Sequence, residues 1–461
     1  MSRQAKAGII LNYIYIIVTT LSSVITTPWL IHGIGPEEYD IYILAYTIAM
    51  YFLVIDFGPG NLIIRYLSKY RSAGDRQSEQ KLLFSAAITY LLFIAGVTVI
   101  LLGFYCFSSN IFGNTLIPAE IKLFKRFLVM IIGWTALQFI QNFLFAVLIG
   151  YERFIFTRIV TLVKFLFRIT GILFIFLFQA GAMPVWYLDI LLTLINVIVY
   201  YLYMRRRLHI KIRPQPIAFP FLKKLCRLFA FIYLAFIMDN LAANMGSLLL
   251  GALNGSTGIG TYYIATTFFQ IILQLSGTVA AFSLPEVTKK VMQDPSPDAL
   301  VSSIHTIGRV QVLLIVLLAL AFSLHGRELI FLWIGAGFAD SYVIGTIIII
   351  SSLPYLLVYA VDIVLQAKNM QIWRLAISIA AVIFAFLFSY GLIPYFGAVG
   401  AGIGLAAAAL FGKLPVLIAA CKKTDLPLAR YARNILSGIL PPILLCTGVS
   451  LFMNQLFADY A

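Results

Sequence analysis

Charge is what this sequence has least of. Only 11% of its 461 residues are charged, while 62% are hydrophobic. Soluble domains run near 45–50% apolar and about 25% charged, so a water-solvated surface around a single core is excluded. Cysteine is scarce and scattered: Cys106, Cys226, Cys421 and Cys446 form no CxxC pair and no metal-ligand spacing, and read as small apolar fillers. The four histidines form no cluster. A Walker-type Gly-rich loop is missing, which argues against ATP hydrolysis by this chain, and no catalytic constellation stands in its place. No enzyme activity, cofactor or metal is expected.

Long apolar runs are what is there. About 20 such residues cross the hydrocarbon layer, and candidate spans fall near 8–32, 40–64, 82–107, 122–148, 159–179, 184–204, 226–250, 258–282, 308–326, 341–366, 374–393, 398–420 and 433–456. The first is too long for a signal-peptide core and no small-residue cleavage site comes after it, so it is expected to stay as the first helix. With the N-terminus in the cytoplasm, 26 of the 33 Lys and Arg fall on cytoplasmic loops. Four fall outside (Lys122, Lys125, Arg126, Arg327) and three within spans. Positive charge on inner loops is the orientation rule. The net charge of +15 is therefore topology, with anionic membrane lipid rather than nucleic acid as its partner.

The expected fold class is an all-α polytopic membrane protein of about 12–14 transmembrane helices. The loop around Arg205-Arg206-Arg207 lies midway along the chain. It divides the sequence into an N-terminal lobe (1–204, helices 1–6), a cytoplasmic linker (205–225), a C-terminal lobe (226–420, helices 7–12) and a cytoplasmic loop with an additional helix (421–461). The halves echo each other at an offset of 220 residues: Gly35, Tyr42, Ala45 and Thr47 coincide with Gly255, Tyr262, Ala265 and Thr267. Six helices per half give both halves one orientation, a parallel repeat about an axis along the membrane normal, as in rocking transporters.

The segment Gly35-x3-Tyr39-Asp40-x-Tyr42 resembles the loop that opens the second helix of the polysaccharide-transport flippases. These are the lipid-linked oligosaccharide (O-antigen) flippases of the multidrug/oligosaccharidyl-lipid/polysaccharide exporter superfamily. Asp56-Phe57-Gly58, with Arg65-Tyr66 and Lys69-Tyr70-Arg71 after it, is similar to the stretch beyond that helix in the same proteins, and Leu284-Pro285-Glu286 fits the exit of the eighth. Asp40 departs from the family, which commonly has glycine there. The resemblance implies a multi-pass protein of the bacterial inner membrane whose two six-helix lobes alternately open a central cavity. The implied function is translocation of a polyprenyl-pyrophosphate-linked oligosaccharide for surface polysaccharide assembly, with other polysaccharide-assembly proteins as partners. A cation-coupled multidrug exporter of the same superfamily is the alternative, and a membrane-embedded glycan polymerase or ligase a more distant one.

Charges inside spans carry the site. A mid-membrane Lys, Arg or Asp costs about 2.5–3.5 kcal/mol on insertion scales and so demands a role. Lys164 and Arg168 sit i, i+4 on one helix face with Thr161 and Gly171, roughly 8 and 14 Å inside the inner boundary. A cationic pair in a wet cavity suits a phosphate-bearing ligand, because arginine binds phosphate through two parallel hydrogen bonds. Arg65 extends that patch, or serves as a boundary arginine. Asp239 falls near the centre of the seventh helix, beside Asn240 and Asn244; a lone carboxylate there pairs, takes a proton or binds a cation. Gln274 and Gln270 on the eighth helix, and Gln138, Gln141 and Asn142 on the fourth, offer amides to sugars or to neighbouring helices. Lys413, Asp362, Asp56 and Asp189 lie near helix ends and read as interface anchors. Trp29, Trp134, Trp186, Trp333 and Trp373 read as an aromatic belt.

Overall fold

A computed structural model of the chain describes residues 22–54, 57–210, 212–215, 219–293, 296–357, 370–423 and 427–435, together with Val18, Val361, Val364, Leu365 and Lys368. Among the described residues there are helices and no strands. Among the same described residues eight helical segments are long and apolar enough to cross a membrane, and the chain is a multi-pass, all-α membrane protein. It divides into two compact units: residues 1–233 with 255–257, and residues 234–254 with 258–461. The anchors expected at Asp56 and Asp362, and the span expected at 433–456 beyond residue 435, lie outside the described residues.

The first unit contains α1 (22–34), α2 (Pro36–Leu53), α3 (Phe57–Ser72), α4 (Arg76–Phe112), α5 (Pro118–Gly150), α6 (Phe154–Phe178) and α7 (Met183–Arg206). The span expected over 40–64 is instead two helices, α2 and α3. Gly58, Pro59 and Gly60 explain the break, since proline and glycine are tolerated in a first turn and not in a helix interior. Local chemistry sets the other ends. Asp75 caps α4 by accepting from the Ser78 backbone N–H at 3.0 Å, and hydrogen bonding from Ser78 holds its carboxyl below the usual carboxylate range. α5 opens with Pro118, and Glu120 reaches back to accept from the Ile117 N–H at 2.9 Å. The tight turn from α6 to α7 uses Gln179 and Gly181 at positive φ, and Glu38 of α2 accepts from the Ala182 N–H there.

α5 is the centre of this unit, packing against α2, α3, α4, α6 and α7. Phe124, Phe127, Leu128, Ile131 and Phe139 along it are fully buried. At Gly171 on α6 a Cβ would come within 2.5 Å of the Leu188 side-chain end on α7, so a larger residue there would have to displace that leucine.

The second unit takes the later part of α8 (Phe219–Leu253), from Leu234, together with α9 (Ile259–Gln293), α10 (Pro297–Trp333), α11 (Asp340–Leu357), α12 (Gln371–Ala407), a π-helical stretch Ala408–Lys413 and α13 (Leu414–Lys423). α12 folds back on itself at Gly397, whose φ of 52° only glycine adopts readily, just after Pro394. The two arms touch backbone to backbone. A Cβ on Gly404 would fall 1.9 Å from Ser389 Oγ, and one on Gly400 would meet Leu392. This hairpin is the pair of spans expected over 374–393 and 398–420. Small residues line its inner side: Ala381, Ala385 and Ala408 form a core cluster with Ala242 of α8, the close packing that membrane helices use in place of a hydrophobic drive.

Candidate functional site

Two polar sites sit inside the helices, one in each unit. In the first, α5, α6 and α7 build a column of polar side chains. Arg168 meets Asp189 as a fork, Nε to Oδ1 at 2.6 Å and Nη2 to Oδ2 at 3.1 Å. One turn along α6, Lys164 donates to Gln141 Oε1 at 3.1 Å and to Thr193 Oγ1 at 2.9 Å. Asn196 donates to the same Gln141 oxygen at 3.2 Å, and Thr161 bonds Tyr200 OH at 3.2 Å. Each of these side chains therefore meets a partner on a neighbouring helix, which is what a charge placed at this depth requires.

The aromatic residues Tyr42, Tyr46, Trp134 and Trp186 adjoin this column. Trp186 is fully buried, 5.3 Å from the Tyr42 ring and 5.9 Å from Trp134. Tyr42 and Tyr46 lie close enough to Arg168 to interact with its charge. Gln138 lies one helical turn beyond Trp134, and its buried Oε1 has no hydrogen-bond partner among the described residues; nor does Trp186 Nε1. A buried polar atom left open is costly unless something completes it.

In the second unit Asp239 pairs with Lys413, Oδ1 to Nζ at 2.9 Å. The pair lines a cavity of about 240 Å³ with Asn240, Gln270, Tyr355 and Arg374. Lys413 also lies 5.4 Å from the Tyr355 ring centroid and ends the π-helical stretch, whose Ala408 and Ala409 line the same cavity. Such wide turns recur at functional sites. Two cations against one carboxylate leave this lining net positive.

Several expectations are corrected by these contacts. Asp189 is no interface anchor; it is buried and is the partner of Arg168. Lys413 is likewise no interface anchor: its Nζ meets Asp239 within the second unit, so Asp239 is not a lone carboxylate. Trp134 and Trp186 are no aromatic belt: a helix end inside a bundle faces other helices, and their neighbours are Tyr42, Tyr46 and Phe127. Of the remaining residues, Asn240 lines the second cavity, donating to its own helix at Phe236 O. Asn244 donates to Asn240 O and does not line it. Gln270 lines it, whereas Gln274, one turn on, does not. Arg65 on α3 is exposed and outside the hydrogen-bonded column.

A fold of two helical units with charged, hydrogen-bonded interiors has clear structural relatives. The chain matches an inward-facing multidrug resistance MATE family transporter of the MOP superfamily with TM-score 0.70 at 15% identity, covering 88% of this chain and 94% of that one. It matches the lipid II flippase MurJ, in an inward closed conformation, with TM-score 0.70 at 14% identity, covering 97% and 99%. A MOP superfamily transporter from Pyrococcus furiosus, described as having a binding pocket of reversed polarity, matches with TM-score 0.60 at 12% identity over 91% and 93%. The fold is thus that of the MOP superfamily transporters. No curated protein sequence matches significantly. The polysaccharide biosynthesis protein family matches residues 5–289, more than half of the chain, and the chain belongs to that family.

Proposed function

We propose that this protein is a flippase that moves a polyprenyl-pyrophosphate-linked oligosaccharide from the cytoplasmic to the outer leaflet by alternating access. The observation that supports this reading most is the Lys164–Arg168–Asp189 column. Of the five N–H donors of a guanidinium, Asp189 engages two. The rest stay available to a phosphate oxygen, while the carboxylate holds the fork in place. Lys164 adds a second cation whose hydroxyl and amide partners are neutral, so the column keeps a net positive charge. A diphosphate meets that charge.

The second cavity supports the same substrate class. Its lining is net positive and its carboxylate is occupied by Lys413. An organic cation, the substrate of the rival multidrug reading, is disfavoured at both sites. Glycan export by cells relying on this protein tests the proposal. Arg168→Ala is expected to abolish export at normal expression, and Arg168→Lys to keep part of it. Full export by Arg168→Ala would return this arginine to a structural role.

A further inference from the structure

Of the four cations that the orientation rule leaves on the outer side, three cluster together. Most Lys and Arg of this sequence belong to one side of the membrane, the side of Arg71, Arg76 and Arg153, and the orientation rule accounts for those. Lys122, Lys125 and Arg126 lie at the other end of α5, more than 20 residues, or roughly 30 Å, away. Their spacing puts them on one helix face. There they line a cavity of about 410 Å³ between the ends of α4 and α5, with Tyr105, Ile121 and Val129.

The cluster keeps its charge. Lys125 donates to Ser109 Oγ at 2.9 Å and lies 5.6 Å from the Tyr105 ring centroid; both partners are neutral. Among the described residues none of the three is in an ion pair. Glu120, the acid of the same turn, is occupied: it accepts from the Ile117 N–H at 2.9 Å and from the Ser256 hydroxyl at 2.5 Å. Around the cavity the surface is apolar and open, with Phe107 61%, Ile117 60% and Val129 50% exposed. On a membrane protein such a surface faces acyl chains. Cations at a helix end, bordered by lipid-facing apolar side chains, match an amphiphile whose anionic head sits at the interface and whose tail runs along the helices.

We infer that the Lys122–Lys125–Arg126 cavity is a phosphate-binding site for a lipid headgroup in the leaflet opposite the arginine-rich loops. Two lipids share that chemistry: an anionic phospholipid of the bilayer, and a prenyl diphosphate of the kind proposed above as cargo. The inference does not depend on that proposal.

The test is native mass spectrometry of the purified full chain in detergent. The probes are phosphatidylglycerol, phosphatidylcholine, farnesyl diphosphate and inorganic phosphate, each applied to the wild type and to Lys122→Gln/Lys125→Gln/Arg126→Gln. Affinity for phosphatidylglycerol, for farnesyl diphosphate or for both is expected to fall at least about tenfold in the variant, while phosphatidylcholine is unaffected. Loss of both identifies a general lipid-phosphate site; loss of farnesyl diphosphate alone assigns it to the cargo class, and loss of phosphatidylglycerol alone to a bilayer lipid. Lys122→Arg/Lys125→Arg retains binding and controls for misfolding. The single variants Lys122→Gln and Arg126→Gln carry the test if the triple variant is not stably produced. Equal binding of both lipids by wild type and variants, within about twofold, overturns the inference. A difference confined to inorganic phosphate overturns its lipid part.

Discussion

Arg168 and Asp189 neutralise each other between two neighbouring helices, and either one alone would be a charge in the membrane without a partner. Intramembrane cost singles out Arg168, Lys164 and Asp239 directly from the sequence, but not their partners. Asp189 reads as an anchor only while its depth is counted along its own span. α6 and α7 share the turn at 179–182, and from that turn Arg168 lies about 15 Å down one helix and Asp189 about 9 Å down the other, within reach of an arginine side chain. Lys413 is hidden for a related reason: the π-helical stretch that ends at it leaves no trace in hydrophobic periodicity. Removing one partner of a buried pair costs about 3–5 kcal/mol, toward the lower figure here because Arg168 is 23% exposed. Arg168→Ala alone is therefore expected to lower the thermal midpoint, and Arg168→Ala/Asp189→Asn to recover most of it without recovering export. Recovery of both would mean that the arginine serves the fold alone. For the second pair, Asp239→Asn is expected to impair transport and, by leaving Lys413 without its counter-charge, to lower the thermal midpoint less than Arg168→Ala does, because Asp239 is 41% exposed. Transport with pH and sodium gradients imposed separately decides Asp239's part: if wild-type transport ignores both, the carboxylate serves only to hold Lys413.

Helices as elements are the most legible level, because apolar runs of spanning length have few alternative readings. Their ends and breaks are less so. A single span over 40–64 neglects the weight of Gly58, Pro59 and Gly60, and the structure parts it into α2 and α3. Conversely, the division between the spans at 374–393 and 398–420 coincides with the glycine that turns the chain, Gly397. The contact between these arms is what only coordinates reveal: Gly404 against Ser389 and Gly400 against Leu392. Overpacking of this kind costs about 1–3 kcal/mol or more, so Gly404→Ala is expected to reduce the folded yield and thermal midpoint clearly. Gly391→Ala, where a Cβ meets nothing within 4 Å, serves as the matched control. Equal stability of the two variants would show that the arms do not pack as described.

For the whole molecule, the charge asymmetry of the loops carries a topology as well as a fold. The loop after Arg205-Arg206-Arg207 is expected in the cytoplasm and the turn at Gly255–Thr257 outside. Cysteines introduced at Gln215 and Ser256, treated with an impermeant thiol reagent on intact cells, check this; labelling at Gln215 but not at Ser256 would invert the orientation. The substrate class is tested most directly by reconstitution. Purified protein in vesicles, given a fluorescent polyprenyl-pyrophosphate-linked oligosaccharide on one face, is read by protection of the label from a membrane-impermeant quencher. Protection well above that of empty vesicles is expected for the wild type, and none above them for Lys164→Gln/Arg168→Gln. A wild-type protein that leaves the diphosphate lipid where it was added, yet extrudes an organic cation dye from the same vesicles, would contradict it.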